Sequence, residues 1–130
     1  MRLKTQETLK KVHALVAERR DSLCKEKTKN FLKGLPSTIR QNGFGPTLAF
    51  MQAKKEKSGE VDYRSITNIF AILFRCDNNP ELLMSRILEE KSPQQYRMMQ
   101  DQAIEYAGWI KQFALALPEG EERTERESEK

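Results

Sequence analysis

The stretch LPSTIRQNGFGPTLAFMQAKKEK, residues 35–57, decides how the first half of the chain folds. Asn42-Gly43 follows a run of helix-forming residues, and glycine readily takes the left-handed conformation that ends a helix. Gly45-Pro46 then favours a new helix, because a proline in the first helical turn loses no hydrogen bond. The stretch therefore predicts two helices with a tight junction, whose motif is Asn42, Gly43, Gly45 and Pro46.

A glycine-rich junction of this kind can also bind phosphate. It does not match the nucleotide-binding pattern G-x-x-x-x-G-K-[ST], because no lysine follows Gly45 directly and no strand precedes it. The N–H groups at the start of the second helix are still expected to point outward, where they can meet a phosphate oxygen. The junction is thus interpreted first as a hinge between two helices.

The rest of the chain carries apolar residues at intervals of three and four, which is the spacing of amphipathic helices. The predicted helices cover residues 5–28, 29–42, a third from Pro46 towards the lysine run, about 62–75, 80–90 and, after Ser92-Pro93, about 93–117. Asp62 and Ser92 are the predicted caps at the starts of the fourth and sixth of these helices. Pro36 lies inside the second helix, and because proline removes a helix hydrogen bond we expect a kink or a break near Leu35. In the third helix, Leu48, Phe50 and Met51 are expected in the core.

These helices indicate an all-α fold class, since no segment alternates apolar and polar residues as a strand would. We expect a single-domain bundle of five or six helices over residues 1–118, with long first and last helices. The fourth helix is apolar around most of its circumference and is expected at the centre. Residues 119–130 contain no hydrophobic side chain and are expected to form a disordered acidic tail.

Positive charge is concentrated in the first half of the chain. Residues 1–57 hold 14 Lys and Arg against five Asp and Glu, whereas residues 58–118 hold six against eight. A basic half beside a nearly neutral half indicates a surface for a polyanion on one side of the protein. The alternative is a helix face on which lysines and glutamates are simply solvated.

Few side chains could carry catalysis or hold a metal ion. His13 is the single histidine, and Cys24 and Cys76 lie 52 positions apart without a metal-binding spacing. Asp101 and Glu105 share a helix face, but a metal-dependent nuclease needs further carboxylates from another helix. We therefore expect no enzyme, no metal, no cofactor and no small-molecule substrate.

The sequence also predicts where the protein works. The amino terminus, MRLKTQETLKK, lacks the apolar core of a signal peptide, and no window approaches the roughly 20 apolar residues of a membrane span. Two distant cysteines fit a reducing compartment. We expect a soluble, cytoplasmic protein that has no membrane partner.

Two blocks of the sequence form motifs. The first consists of Leu35, Pro36, Ile39, Asn42, Gly43, Phe44, Gly45, Leu48, Ala49 and Phe50, followed by lysines at 54, 55 and 57. The second, near the carboxy terminus, consists of Ala103, Tyr106, Trp109, Ile110, Lys111 and Phe113. Together they resemble the small helical subunit of type III-B CRISPR effector (Cmr) complexes, over about residues 5–117. Phe44, where that family usually has leucine, and the acidic tail depart from the resemblance.

The resemblance implies a non-catalytic scaffold subunit. In such complexes several copies of the small subunit stack as a filament along the crRNA–target RNA duplex, beside the backbone subunits that hold the crRNA and cleave RNA. The implied partners are other Cmr subunits, copies of the same chain and the crRNA–target RNA duplex. A basic face of the subunit is implied to stabilise the target strand.

The basic half of the chain supplies the candidates for such a face. The expected nucleic-acid-binding residues are Arg19, Arg20, Lys25, Lys27, Lys29, Lys33, Arg40, Lys54, Lys55 and Lys57. We expect them to gather on one flank and contact phosphates, because base pairing between guide and target already reads the sequence. The alternative is a helical protein–protein adaptor that uses this charge for an acidic partner and does not bind nucleic acid.

Overall fold

The computed structural model describes residues 2–54 and 61–118, with side chains from residue 5 onward. Within these residues the chain forms seven α-helices and no strand. They are α1 (Arg2–Glu18), α2 (Arg20–Leu23), α3 (Glu26–Asn42), α4 (Phe44–Lys54), α5 (Tyr63–Leu73), α6 (Pro80–Glu89) and α7 (Pro93–Ala116). The all-α class and the long last helix are confirmed, with one helix more than the expected five or six. The predicted acidic tail, 119–130, lies outside the described residues.

The predicted first helix, 5–28, is wrong in its length, because it is divided at Arg19. The Arg19 N–H bonds the carbonyl of Val16, three residues back instead of four, and α2 follows as a single turn that buries Leu23 completely. Six residues separate Val16 from Leu23 in the apolar stripe, and none of them has a large apolar side chain. With nothing larger than Ala17 in that interval to bind the helix to the core, the chain turns there and brings Leu23 inward.

A kink or a break was expected near Leu35; helix α3 runs through Pro36 without interruption, so there is no break. Leu32, Leu35 and Ile39 on either side of the proline are all fully buried. Packing of this apolar face outweighs the one hydrogen bond that proline removes, because most helix stability in proteins comes from tertiary contacts.

Helices α3 and α7 share the most extensive contact between any two helices of the described residues, and they run antiparallel. The Lys29 ammonium at the start of α3 donates to the Leu117 carbonyl just beyond the end of α7 (2.6 Å). At the other end of α3, the Phe44 N–H donates to the side-chain carbonyl of Gln100 in the first half of α7 (3.2 Å). Helix α5 contributes the fully buried Ile66, Ile69 and Phe70, as expected of a central helix.

The starts of the later helices follow the predicted caps. The Asp62 carboxylate accepts the N–H of Ser65 (3.0 Å) and its hydroxyl (2.6 Å). The Ser92 hydroxyl accepts the N–H of Gln95 (3.3 Å), directly before Pro93 in the first turn of α7. Burial by itself raises the pKa of Asp62, but the hydrogen bonds from Ser65 outweigh it and lower the pKa below its ordinary value.

Candidate nucleic-acid interface

The glycine junction between α3 and α4 has the backbone conformation that the sequence predicts. Gly43 has a φ of 96°, and its N–H donates to the Ile39 carbonyl at the end of α3 (2.8 Å). The Gly43 carbonyl accepts the N–H of Thr47 (3.2 Å) and its hydroxyl (2.7 Å). One residue therefore closes α3 and starts α4, which fixes the angle between the two helices.

The junction does not offer its N–H groups to a phosphate, which corrects the expectation from the sequence. The Phe44 N–H donates to the Gln100 side chain (3.2 Å), and the Gly45 N–H donates to the Tyr96 hydroxyl (3.4 Å). Pro46 has no N–H to give. Two side chains of α7 thus occupy the positions where an anion would bind, and the junction is a structural element.

The exposed cations of α3 lie on two different sides of the helix. Successive residues of an α-helix rotate by about 100°, so Lys33 and Arg40, seven apart, share one face. Lys27 points about 120° away from that face, towards the side that carries Phe31. All three cations are exposed. The predicted set therefore does not form a single strip along this helix.

Lys29 is not part of any exposed surface, and its assignment as a nucleic-acid-binding residue is corrected. Only 6% of the residue is exposed, and its ammonium donates to the Leu117 carbonyl (2.6 Å). Lys29 lies three residues before Leu32 and seven before Pro36, which puts it on the inward face of α3. The same spacing could have marked Lys29 from the sequence as an inward-facing lysine, but not its partner at the end of α7, 88 residues away.

The cations between α1 and α3 differ in their surroundings. The Arg19 guanidinium donates to the Leu15 carbonyl (3.1 Å) and pairs with the Glu18 carboxylate (3.4 Å), so it caps the end of α1. Arg20 and Lys25 are both exposed beside the short helix α2. Arg20 and Lys25 therefore remain candidates for phosphate contact, whereas the Arg19 side chain is already engaged.

An aromatic cluster beside Lys54 was missed by the sequence analysis. Phe50, expected in the core, is 46% exposed, while its neighbours in the motif, Leu48 and Met51, are fully buried as expected. The Phe50 ring stacks on Phe31 (6.4 Å between centroids), and the Lys54 ammonium lies 5.6 Å from the Phe50 centroid. This arrangement combines a cation–π contact with an accessible ring face.

The same cluster forms one wall of a shallow groove of about 590 Å³ between α3 and α4. The groove is lined by Phe31, Thr38, Asn42, Pro46, Thr47 and Phe50. It lies on the Lys27 side of α3, roughly opposite Lys33 and Arg40. Lys55 and Lys57, which follow Lys54, lie outside the described residues.

The residues considered for catalysis lie on two helices, His13 on α1 and Asp101 and Glu105 on α7. Asp101 and Glu105 are exposed on α7, and nowhere in residues 5–54 and 61–118 do three or more His, Cys, Asp or Glu side chains come together as metal ligands. The exposed His13 packs its ring edge-on against Phe113 (5.1 Å). No helix in this described part is long and apolar enough to cross a membrane.

Comparisons with known proteins agree on one family. The family model described as "CRISPR-associated protein (Cas_Cmr5)" matches residues 4–117. Among solved structures, the chain is similar to the X-ray crystal structure of a CRISPR-associated Cmr5 family protein from Thermus thermophilus, with a TM-score of 0.71. The two share 24% sequence identity over 87% of this chain and 98% of the other. The solved structure supports the fold, and the family-model match carries the family.

Proposed function

The chain belongs to the Cmr5 family of CRISPR-associated proteins, small subunits of the type III-B (Cmr) effector complex, and we propose that it is a non-catalytic, cytoplasmic scaffold subunit of that complex. Several copies stack along the crRNA–target RNA duplex and stabilise the target strand through a basic face. The partners are other Cmr subunits, further copies of this chain and the RNA duplex. The resemblance expected from the sequence is confirmed at the level of the family.

The Lys33–Arg40 face of α3 is the observation that carries the RNA part of the proposal. Both side chains are exposed and lie about 10 Å apart along the helix axis. The interval from 33 to 40 contains no acidic residue, and Ser37 is exposed between the two cations. A rigid helix that presents two cations at this spacing can contact phosphates along one strand without reading bases.

The proposed role requires charge and shape, and no reacting group. Sequence recognition rests on base pairing between guide and target, so each subunit needs only to follow the backbone of the duplex. A single subunit that makes two or three phosphate contacts binds RNA weakly. Repetition along a filament then raises the overall affinity, because every further contact is made within the same assembly.

The test is made in the assembled complex and uses two separate double variants. One changes the Lys33–Arg40 face of α3, and the other changes the opposite side, where Lys27 of α3 and Lys54 of α4 lie. Each phosphate contact contributes about 0.7–0.9 to the slope of log affinity against log salt concentration. The variant Lys33→Ala/Arg40→Ala is expected to lower that slope for target RNA by about 1.4–1.8 per subunit in contact. The matched control, Lys27→Ala/Lys54→Ala, removes the same charge from the other side and is expected to leave the slope unchanged.

Each outcome of this experiment separates one hypothesis from another. A lower slope in the control pair alone would move the RNA contact to the aromatic side of α3. An unchanged slope in both pairs, with the complex still assembled, would contradict the RNA contact and favour the protein–protein adaptor. The measurement is target-RNA binding to the purified complex over a series of salt concentrations.

A further inference from the structure

A second groove lies apart from the exposed cations of α3. It has a volume of about 610 Å³ and lies among α1, the end of α5, α6 and α7. The residues that line it include three cations: Lys11, Arg75 and Arg86. None of the eight predicted nucleic-acid-binding residues that the structure describes lines this groove. Its chemistry therefore needs its own explanation.

The backbone at Arg75 is the first sign that this groove has a function. Helix α5 ends in a Schellman motif, in which the Cys76 N–H bonds the Ala71 carbonyl (2.7 Å) and the Arg75 N–H bonds the Ile72 carbonyl (3.0 Å). The left-handed position of this motif usually holds glycine, but here Arg75 occupies it with a φ of 63°. Backbone strain of this kind is frequent at functional sites, but Asp77 in the same turn also has a positive φ (53°), so the side chains around Arg75 must decide whether its guanidinium has a role.

The second arginine of the groove is fixed by the same helix end. The Arg86 guanidinium donates one N–H to the Phe74 carbonyl (2.7 Å), the residue directly before Arg75. This bond uses part of a guanidinium that has five N–H donors, so others remain to bind a ligand. Arg75 and the guanidinium of Arg86 thus both lie at the end of α5, at one edge of the groove.

The remaining walls supply polar groups over an apolar floor. On α7, Gln95, Met99, Gln102 and Tyr106 follow one another at intervals of four, three and four, so they face the groove together. The Tyr106 ring packs edge-on against Phe74 (5.2 Å) to form the floor. Burial, and next the charge of Glu105, raise the pKa of Tyr106, against the opposing charge of Arg75, so the phenol remains a hydrogen-bond donor.

The negative charges of the groove do not neutralise its cations. Glu7 and Glu90 also line it, so the lining holds two carboxylates against three cations. No ion pair joins either glutamate to Lys11, Arg75 or Arg86, all five being residues with described side chains. The Glu90 carboxylate instead accepts the N–H of Ser92 (3.2 Å), at the start of α7. The three cations remain available to an external anion.

We propose that this groove, the Arg75 groove, binds a phosphate group through the guanidiniums of Arg75 and Arg86 and the ammonium of Lys11. Guanidinium pairs match the oxygens of a phosphate, and the amides of Gln95 and Gln102 are placed for the sugar or base that carries it. The phosphate can belong to a free nucleotide or to the backbone of an RNA strand. The site is distinct from the Lys33–Arg40 face, and it stands or falls independently of the proposed function.

The decisive variant is Arg75→Gly, because it removes the cation and at the same time relieves the backbone strain at positive φ. Two probes are titrated into the full-length purified protein: ATP, followed by calorimetry, and a short labelled oligouridylate, followed by fluorescence anisotropy. We expect affinity for at least one probe to fall about tenfold in Arg75→Gly, while the melting temperature does not fall. Arg75→Lys keeps the charge and is expected to retain more affinity than Arg75→Gly.

The two probes identify the source of the phosphate. A loss for ATP alone assigns a nucleotide site, a loss for the oligouridylate alone assigns a strand, and a loss for both assigns the phosphate group itself. The control Arg97→Ala removes an exposed arginine of α7 that does not line the groove. The proposal is overturned if neither probe binds, if Arg75→Gly changes neither affinity, or if Arg97→Ala weakens binding as much.

Discussion

The ends of α3 and α5 both carry a residue with positive φ, but the residue type differs between them. Helix α3 ends at Gly43, with a φ of 96°, and α5 ends with Arg75, with a φ of 63°. At Gly43 the neighbouring N–H groups are occupied by Tyr96 and Gln100, so the junction is closed to ligands. Arg75, by contrast, lines the open groove among α1, α5, α6 and α7.

Gly43 is a residue that stabilises its helix end, whereas Arg75 is one whose positive φ costs stability. Glycine at positive φ avoids the clash between Cβ and the backbone, whereas any other residue costs about 1–2 kcal/mol there. At Gly43 no side chain is wanted, because an added Cβ would meet the Pro46 ring at 3.3 Å and the Tyr96 hydroxyl at 3.4 Å. At Arg75 the strain is retained in a residue that lines the groove, as expected of a functional position.

The largest effect is expected at Gly43. The substitution Gly43→Ala should lower the free energy of unfolding by about 1–2 kcal/mol, because it puts a side chain at positive φ and against Pro46. Chemical denaturation measures this change. Gly34→Ala is the matched control: Gly34 lies inside α3 with no atom within 4 Å of an added Cβ, so this variant should be stabilised by about 0.5–1 kcal/mol. A Gly43→Ala variant as stable as Gly34→Ala would refute the account of the junction.

At Arg75 we expect a substitution by glycine to increase stability instead of lowering it. Arg75→Gly should raise the free energy of unfolding by about 0.5–1 kcal/mol, since the relieved strain exceeds the entropy that glycine adds to the unfolded chain. Arg75→Ala keeps the strain and should stay within about 0.5 kcal/mol of the parent protein. Denaturation of the three proteins side by side checks the order. If Arg75→Gly were the least stable of them, the idea of a strained helix end would be wrong.

The smallest effect concerns the start of α5, where Asp62 caps the helix. Folding lowers the pKa of Asp62 below its ordinary value of 3.8, so the carboxylate stabilises the fold above that pH. This contribution is lost as pH falls through the folded-state pKa. Asp62→Asn keeps a capping side chain without a charge, and should therefore lose less stability than the parent between pH 6 and pH 3. Equal losses in the two proteins, measured by denaturation at both values, would contradict the assignment.

The sequence predicted those parts of the fold that depend on local signals. Asn42-Gly43 identified the end of α3, and Asp62 and Ser92-Pro93 identified the starts of α5 and α7, because caps and helix ends are set by residues close together in the chain. The central position of α5 followed from its apolar circumference. The family resemblance rested on the same junction.

The predictions that failed concern features that depend on contacts between distant segments of the chain. Lys29 turns inward because the end of α7, 88 residues away, presents a carbonyl to it. The division of the first helix at Arg19 follows from where the core binds Leu23, and Pro36 is tolerated because the flanking leucines are buried. The exposure of Phe50 depends on how α3 and α4 pack. The Arg75 groove combines four helices, so no single segment of the sequence reveals it.

The central proposal is that this chain works as a repeated, RNA-associated subunit. Native mass spectrometry of the complex purified through a tag on this chain tests it directly. We predict an assembly that contains crRNA, other Cmr subunits and more than one copy of the chain. An assembly with protein partners but without RNA, or a chain that purifies alone, would contradict it.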